Sequence, residues 1–306
     1  MSMTLVEAAK LSNDVLLQGV IETVVKDSPV LQTLPFIQIQ GNGLTYTRES
    51  ALPSIAFYDV GDTWAESTPT FAQVTSTLRI MGGDADVDNY LKSTRSNIND
   101  LETTVIEQKA KALRHTFEQY FLYGDTSSSA KQFDGIIKLI DTATASDQLI
   151  AAGASGATLT LTMVDQLIDA VKGGKPDVLL MSKRTRRKIQ TLARAAGNNL
   201  QVGQGILGEQ VQLYNGIPIG VSDWVLDVHA VSSSVESAYT GGACSTIYAL
   251  RFGEGALAGL SSPEMLQIER VGQLETKDAT RHRIKWYCSL ALFSTVTCAA
   301  LIGVKD

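Results

Sequence analysis

The chain has 306 residues, with 26 Lys and Arg against 32 Asp and Glu, for a net charge of −6. That length suits about two domains, and the acidic balance excludes a generally basic nucleic-acid binder. Charged residues make up 19% and hydrophobic ones 44%. Against a usual charged share of about 25%, this fits either a large core or a surface that an assembly covers.

Cys244, Cys288 and Cys298 are the three cysteines, with no Cys-x-x-Cys pair. They signal neither a disulfide framework nor a zinc site and fit a reducing compartment. Met1 to Ser12 lacks the basic-then-apolar pattern of a secretory signal.

Leu5 to Lys26 has helical spacing in Leu5, Ala8, Ala9, Leu16, Val20 and Val24, ended by Asp27-Ser28-Pro29. Phe36 to Gln40 alternates as a strand, Gly41-Asn42-Gly43 reads as a turn, and Leu44 to Arg48 returns, which predicts a hairpin. Phe71 to Met81 alternates again until Gly82-Gly83. Residues 96–123 read as one long helix. Ile98, Leu101, Val105, Ala112, Thr116 and Tyr120 form its main stripe, Leu113, Phe117 and Phe121 widen it, and Gly124-Asp125 stops it.

Phe133 to Ile137 reads as a connector, and 141–156, rich in small and polar residues, as a loop. Thr162 is the expected cap of a helix ending at Gly173-Gly174. Val178 to Met181 is a short buried strand, and Ser182 caps a second helix reaching Gly197. Short strands are expected near 211–214, 217–221, 246–251 and 265–271, and a last long strand region over 281–304. Trp286 to Val304 holds no charge over nineteen residues. Its serines, threonines and β-branched residues favour buried strands over a membrane span.

No sequence motif carries chemistry securely. Gly203-Gln204-Gly205-Ile206-Leu207-Gly208 spells the dinucleotide fingerprint. That fingerprint needs a preceding strand and a following helix N-terminus, yet strand-like Val211 to Tyr214 follows. A cofactor-binding enzyme using residues 203–208 is thus the competing class. Asp84, Asp86 and Asp88 begin like a calcium loop but lack its later glycine and glutamate. His115, His229 and His282 stand in no catalytic pattern. The chain therefore reads as non-enzymatic, without metal or cofactor. Lys183, Arg184, Arg186, Arg187 and Lys188 form its dense basic cluster, a candidate for subunit contact, for solvent or for nucleic acid. Phe57, Tyr58, Trp64 and Phe71 sit in a less regular run with no evident core of their own and are candidate interface anchors.

The order of these parts resembles the tailed-phage major capsid protein family with the Hong Kong 97 fold. The likeness rests on the arm, the hairpin, the long helix with Tyr123-Gly124-Asp125 and Phe133-Asp134-Gly135-Ile136, and the strand-helix Lys175 to Ser182. It also rests on Leu213 to Ile219, Thr246 to Gly253, and a closing peripheral strand over Arg283 to Leu301. The resemblance implies an α+β fold with an N-terminal arm (1–34), an E-loop (35–81), a peripheral domain with the spine helix (82–135 and 263–306) and an axial domain (136–262). It implies hexamers and pentamers of an icosahedral shell enclosing double-stranded DNA, assembled in the host cytoplasm and located in the virion. It also implies a separate scaffolding protein, a portal, a shell held non-covalently or by a separate cement protein, weak non-specific DNA contact and no membrane. An encapsulin, the same fold enclosing an enzyme cargo, is the rival shell. Relatives that lock the shell covalently use an E-loop lysine, and no lysine lies between Lys26 and Lys92.

Overall fold

The computed structural model describes residues 29–95, 101–142, 147–153, 155–197, 201–204, 210–228 and 242–305. The helix expected over Leu5 to Lys26, and His229, lie outside the described residues.

A one-turn helix, α1 (Val30–Thr33), leads into β1 (Phe36–Gln38), β2 (Gly43–Ala51), β3 (Thr70–Thr77) and β4 (Arg79–Asp88). Helices α2 (Asn89–Arg95), α3 (Leu101–Tyr123, the spine) and α4 (Ile136–Thr142) follow. Next come β5 (Leu149–Ala151), β6 (Ala157–Thr158), α5 (Leu161–Ala170), β7 (Val178–Met181), α6 (Lys183–Ala195), β8 (Gln201–Gln204), β9 (Gln210–Tyr214) and β10 (Ile217–Val221). The described chain closes with β11 (Ser245–Leu250), β12 (Leu257–Gln273), β13 (Ala279–Leu292) and β14 (Ala299–Lys305).

These strands build a four-stranded sheet in the order β1-β12-β13-β4. An eight-stranded sheet runs β5-β14-β11-β7-β10-β9-β8, with β6 also on β14, and β2 and β3 pair only with each other.

The eight-stranded sheet is covered on both faces. Side chains alternate across a strand, so Val178 and Leu180 of β7 join Tyr248 and Leu250 of β11 on the spine side. Leu179, Met181, Ile247 and Ala249 pack under α5 and α6 with Leu167 and Ile189. Burial on both faces is why β7 and β11 read as continuous apolar runs.

The spine helix spans about 35 Å at 1.5 Å per residue. Its buried face is Leu113, Phe117 and Phe121, the residues expected only to widen the stripe, whereas Ala112 is exposed. Aromatic bulk decides the orientation: Phe117 sits 4.7 Å from Trp286, and Phe36 packs on both, at 5.9 and 5.5 Å. The helix starts at Leu101 among the described residues, with α2 ahead of it, and residues 96–100 lie outside them. Asp88 caps α2 by accepting the Tyr90 and Leu91 amides at 2.9 and 3.2 Å.

Four further expectations are corrected. β1 and β2 form no hairpin with each other: β1 lies parallel to β12, with Phe36 opposite Gly259, and β2 pairs with β3. A side chain at Gly259 would strike the Phe36 ring, so this glycine makes the docking possible. β4 does not end at Gly82-Gly83 but continues to Asp88, because a bare Gly82 admits the Ile284 carbonyl of β13. Thr160, not Thr162, caps α5, accepting the Met163 amide at 3.3 Å. The closing peripheral strand is two strands in different sheets. β13 ends at Leu292, and β14 crosses to pair with β11 and β5. β14 is buried on both faces, with Ala300 in the core that holds Leu290 and Leu292, and Ala299 and Leu301 in the other.

Candidate assembly surfaces

Among the described residues the β2–β3 hairpin is fastened at its base. Tyr46 donates its hydroxyl to the Leu292 carbonyl at 2.9 Å and packs on Phe293 at 4.9 Å, while Arg48 Nε donates to the Phe293 carbonyl at 2.9 Å. Arg48 also reaches the Leu292 carbonyl. Beyond Arg48 the hairpin packs against no other part of the subunit among the described residues. Its tip nevertheless has internal order. Ser54 N donates to Ser67 Oγ at 2.9 Å, Ala65 N to Tyr58 OH at 3.0 Å, and Asp59 N to Asp62 Oδ2 at 2.7 Å.

The four expected anchors lie here. Phe57, Trp64 and Phe71 are 106, 78 and 62% exposed. Tyr58 is half-buried under the Trp64 ring, stacked at 4.6 Å. Leu52, Ile55 and Val60 are exposed beside them and were missed in the sequence, because an apolar run without periodicity carries no sign of which face it presents. Contiguous apolar exposure of this kind marks a contact surface.

The basic cluster occupies the first turns of α6, capped by Ser182, which accepts the Thr185 amide at 3.2 Å. Thr185, Ile189 and Ala193 face the core at helical spacing. Lys183 pairs with Asp223 at 2.7 Å, and Arg184 donates to the Ala243 carbonyl at 2.9 Å beside Asp227. Arg186 and Lys188 are half-buried and Arg187 is exposed; none of the three has an ion-pair partner among the described residues.

The acidic run on β4 is a cross-strand ladder. Arg283 binds Asp84 through Nε at 2.7 Å and Nη2 at 3.0 Å, and Arg281 binds Asp86 at 2.6 and 2.8 Å. These guanidinium hydrogen bonds hold both carboxyls below the ordinary range against a desolvation that opposes them. Among the described residues no group of three or more His, Cys, Asp and Glu could hold a metal ion. His282 brings Nε2 to 2.6 Å from Glu102 Oε1, and Glu102 is also paired with Lys92, whose hydrogen bond lowers its pKa. His115 packs edge-on to Trp224 at 5.7 Å. Both histidines thus have structural partners.

Gly203 lies inside β8 and pairs with Val211, while Gln204 pairs with Gln210. Residues 205–208 lie outside the described residues; β8 and β9 on either side of them are antiparallel strands, so among the described residues no helix N-terminus follows to hold pyrophosphate. No described helix is long and apolar enough to cross a membrane.

The phage capsid family matches residues 11–241. No curated protein matches the sequence. Among solved structures, the chain is similar to the SrpI encapsulin of Synechococcus elongatus PCC 7942, with 16% identity, 100% of this chain and 97% of that one covered, and a TM-score of 0.72. It is similar to the capsid of a native GTA particle, with 13% identity, 96% of each chain and a TM-score of 0.66. The chain of Mycobacterium phage Bobi shows 15% identity, 100% of both chains and a TM-score of 0.65. A two-sheet body crossed by a spine helix, a hairpin projecting from it and a family match over most of the sequence agree with one another: the chain belongs to the phage capsid family and has the Hong Kong 97 fold.

Proposed function

We propose that this capsid shell protein is the major capsid protein of a tailed phage, forming hexamers and pentamers of an icosahedral shell around double-stranded DNA. The family match over 11–241 carries the reading. The exposed aromatic hairpin supports it, since a surface so apolar is stable in water only when covered. Shell building sets the proposed division into arm (1–34), E-loop (35–81), peripheral domain (82–135 and 263–306) and axial domain (136–262), with β14 contributing to the axial sheet. Phe57, Tyr58, Trp64 and Phe71 are its interface anchors. A separate scaffolding protein and a portal are the expected partners, with a shell held non-covalently or by a cement protein, virion location and assembly in the host cytoplasm.

The likeness to the SrpI encapsulin favours a second reading, a nanocompartment shell around an enzyme cargo. Negative-stain microscopy of the purified protein tests both. Closed shells support a capsid-type assembly, and a monodisperse monomer at high concentration contradicts it. Nuclease-protected DNA inside native particles selects the phage shell, and a co-purifying enzyme selects the compartment.

A further inference from the structure

The ladder between β12 and β13 opens widely at one place. Ser261 pairs with Cys288 and Leu266 with Trp286, so residues 262–265 face Tyr287 alone. Pro263 has no N–H to give, and pairing lapses there. Bulges of this kind concentrate beside functional sites, where they re-aim side chains.

A cavity of about 330 Å³ lies between this bulge and the root of the β2–β3 hairpin. Its volume falls within the roughly 300–1,000 Å³ of small-molecule sites. Backbone hydrogen bonds brace the walls: Ile39 N donates to Ser261 O at 2.9 Å, and Leu78 N to Asn42 O at 2.8 Å. Ile39, Leu78, Ile80 and Pro263 make much of the lining apolar.

Arg79 is the charged residue of that lining, which contains no Asp, Glu or Lys. Its Nε is shielded from water and has no hydrogen-bond partner among the described residues. A shielded donor without a protein acceptor is one that an incoming acceptor can satisfy.

We propose that this cavity binds a small apolar carboxylate, with the anion on the Arg79 guanidinium and the hydrocarbon part against Ile39, Leu78 and Pro263. The planar fork of an arginine matches a carboxylate. A single lining cation suits a monoanion, and the apolar walls offer few donors for the remaining oxygens of a phosphate. The carboxylate can belong to a free acid or to a glutamate side chain in a peptide.

Ligand-observed NMR titration of the full-length protein tests the proposal. The probes are 4-methylpentanoate, its neutral amide, the α-amide of N-acetylglutamate, and inorganic phosphate. A carboxylate probe should bind at least about tenfold more tightly than the neutral amide, and phosphate should not displace it. Binding of the free acid, of the blocked glutamate or of both supports the site and identifies the source. Binding of neither, equal binding of the amide, or displacement by phosphate overturns the proposal.

Two variants locate the binding. Ile80 is 78% exposed at the rim, so Ile80→Glu adds an anion there with little risk to the fold. It should weaken carboxylate binding at least about tenfold. Arg79→Gln should do the same, with circular dichroism checking that the subunit is folded. Unchanged affinity in Ile80→Glu, or in a folded Arg79→Gln, would overturn the assignment to this cavity.

Discussion

Trp224 donates its indole N–H to Glu118 Oε2 at 3.1 Å, joining the segment that follows β10 to the buried middle of the spine helix. Arg114 Nε donates to the other carboxylate oxygen at 3.1 Å, and the Leu226 amide donates to Tyr123 OH at 3.0 Å. Residues 222–226 thereby tie the eight-stranded sheet to the spine.

Trp224→Phe keeps the ring but leaves a buried carboxylate oxygen without that donor. The expected cost is about 1–3 kcal/mol. Arg114→Ala should cost at least as much, about 3 kcal/mol or more, because it strips the paired cation from a fully buried carboxylate, although the Arg114 side chain is itself 45% exposed. Urea midpoints of the two variants measure the order, and a clearly smaller loss for Arg114→Ala would contradict this account.

Trp64→Ala should separate assembly from folding. The ring touches only Tyr58 of its own subunit among the described aromatic contacts. Subunit stability should change by about 0.5–1.5 kcal/mol at most, while each interface loses about 2–4 kcal/mol. Sedimentation should show free capsomers or subunits in place of shells. Equal loss of soluble protein and of shells would place Trp64 in a subunit core.

Acid should weaken the sheet through Asp84 and Asp86. Their carboxyls are held below the ordinary 3.8 chiefly by hydrogen bonds from Arg283 and Arg281. A carboxyl lowered in the folded state contributes stability above its unfolded pKa, and this is lost as pH falls through the folded value. Unfolding midpoints should therefore drop below about pH 4. Asp84→Asn with Asp86→Asn should flatten that acid limb, and an unchanged slope would assign the loss to other groups.

The parts most legible in the sequence were those whose signal is local. Ser182 before α6 and the apolar run of β7 each announce their own structure, and both stand as read. The spine helix was legible as a helix but not in its facing, because two stripes one residue apart differ only in what lies opposite, here Trp286 and Phe36. Strand partners were harder still. A strand's own pattern does not say that Phe36 rests against Gly259 or that Gly82 admits a carbonyl from residue 284. The exposure of Phe57, Trp64 and Phe71 was legible from the lack of a nearby core; the Glu118–Trp224 contact, 106 residues apart, left no local trace.

No covalent ladder should arise in the unmutated shell. The hairpin has no lysine, so it has no amine for an isopeptide bond to a neighbour. Purified shells boiled under reducing conditions should run as the 32.9 kDa monomer. Higher bands that survive reduction would show another cross-link chemistry.

The basic helix should matter for shell yield rather than for holding DNA. Lys183 and Arg184 already serve internal contacts, so the informative changes are Arg186→Gln, Arg187→Gln and Lys188→Gln. With a net charge of −6, the subunit repels phosphate overall. Attraction from three side chains is screened beyond about 8–10 Å at ordinary salt. Under the proposed shell reading, subunit contact or solubility is the expected role for them rather than DNA affinity. The triple variant should form fewer shells while DNA per assembled particle stays within about twofold of the parent. Quantifying nuclease-protected DNA against particle number decides between the two. Normal shell yield with lost DNA, or steeply salt-dependent duplex binding by the free subunit, would make α6 a nucleic-acid surface instead.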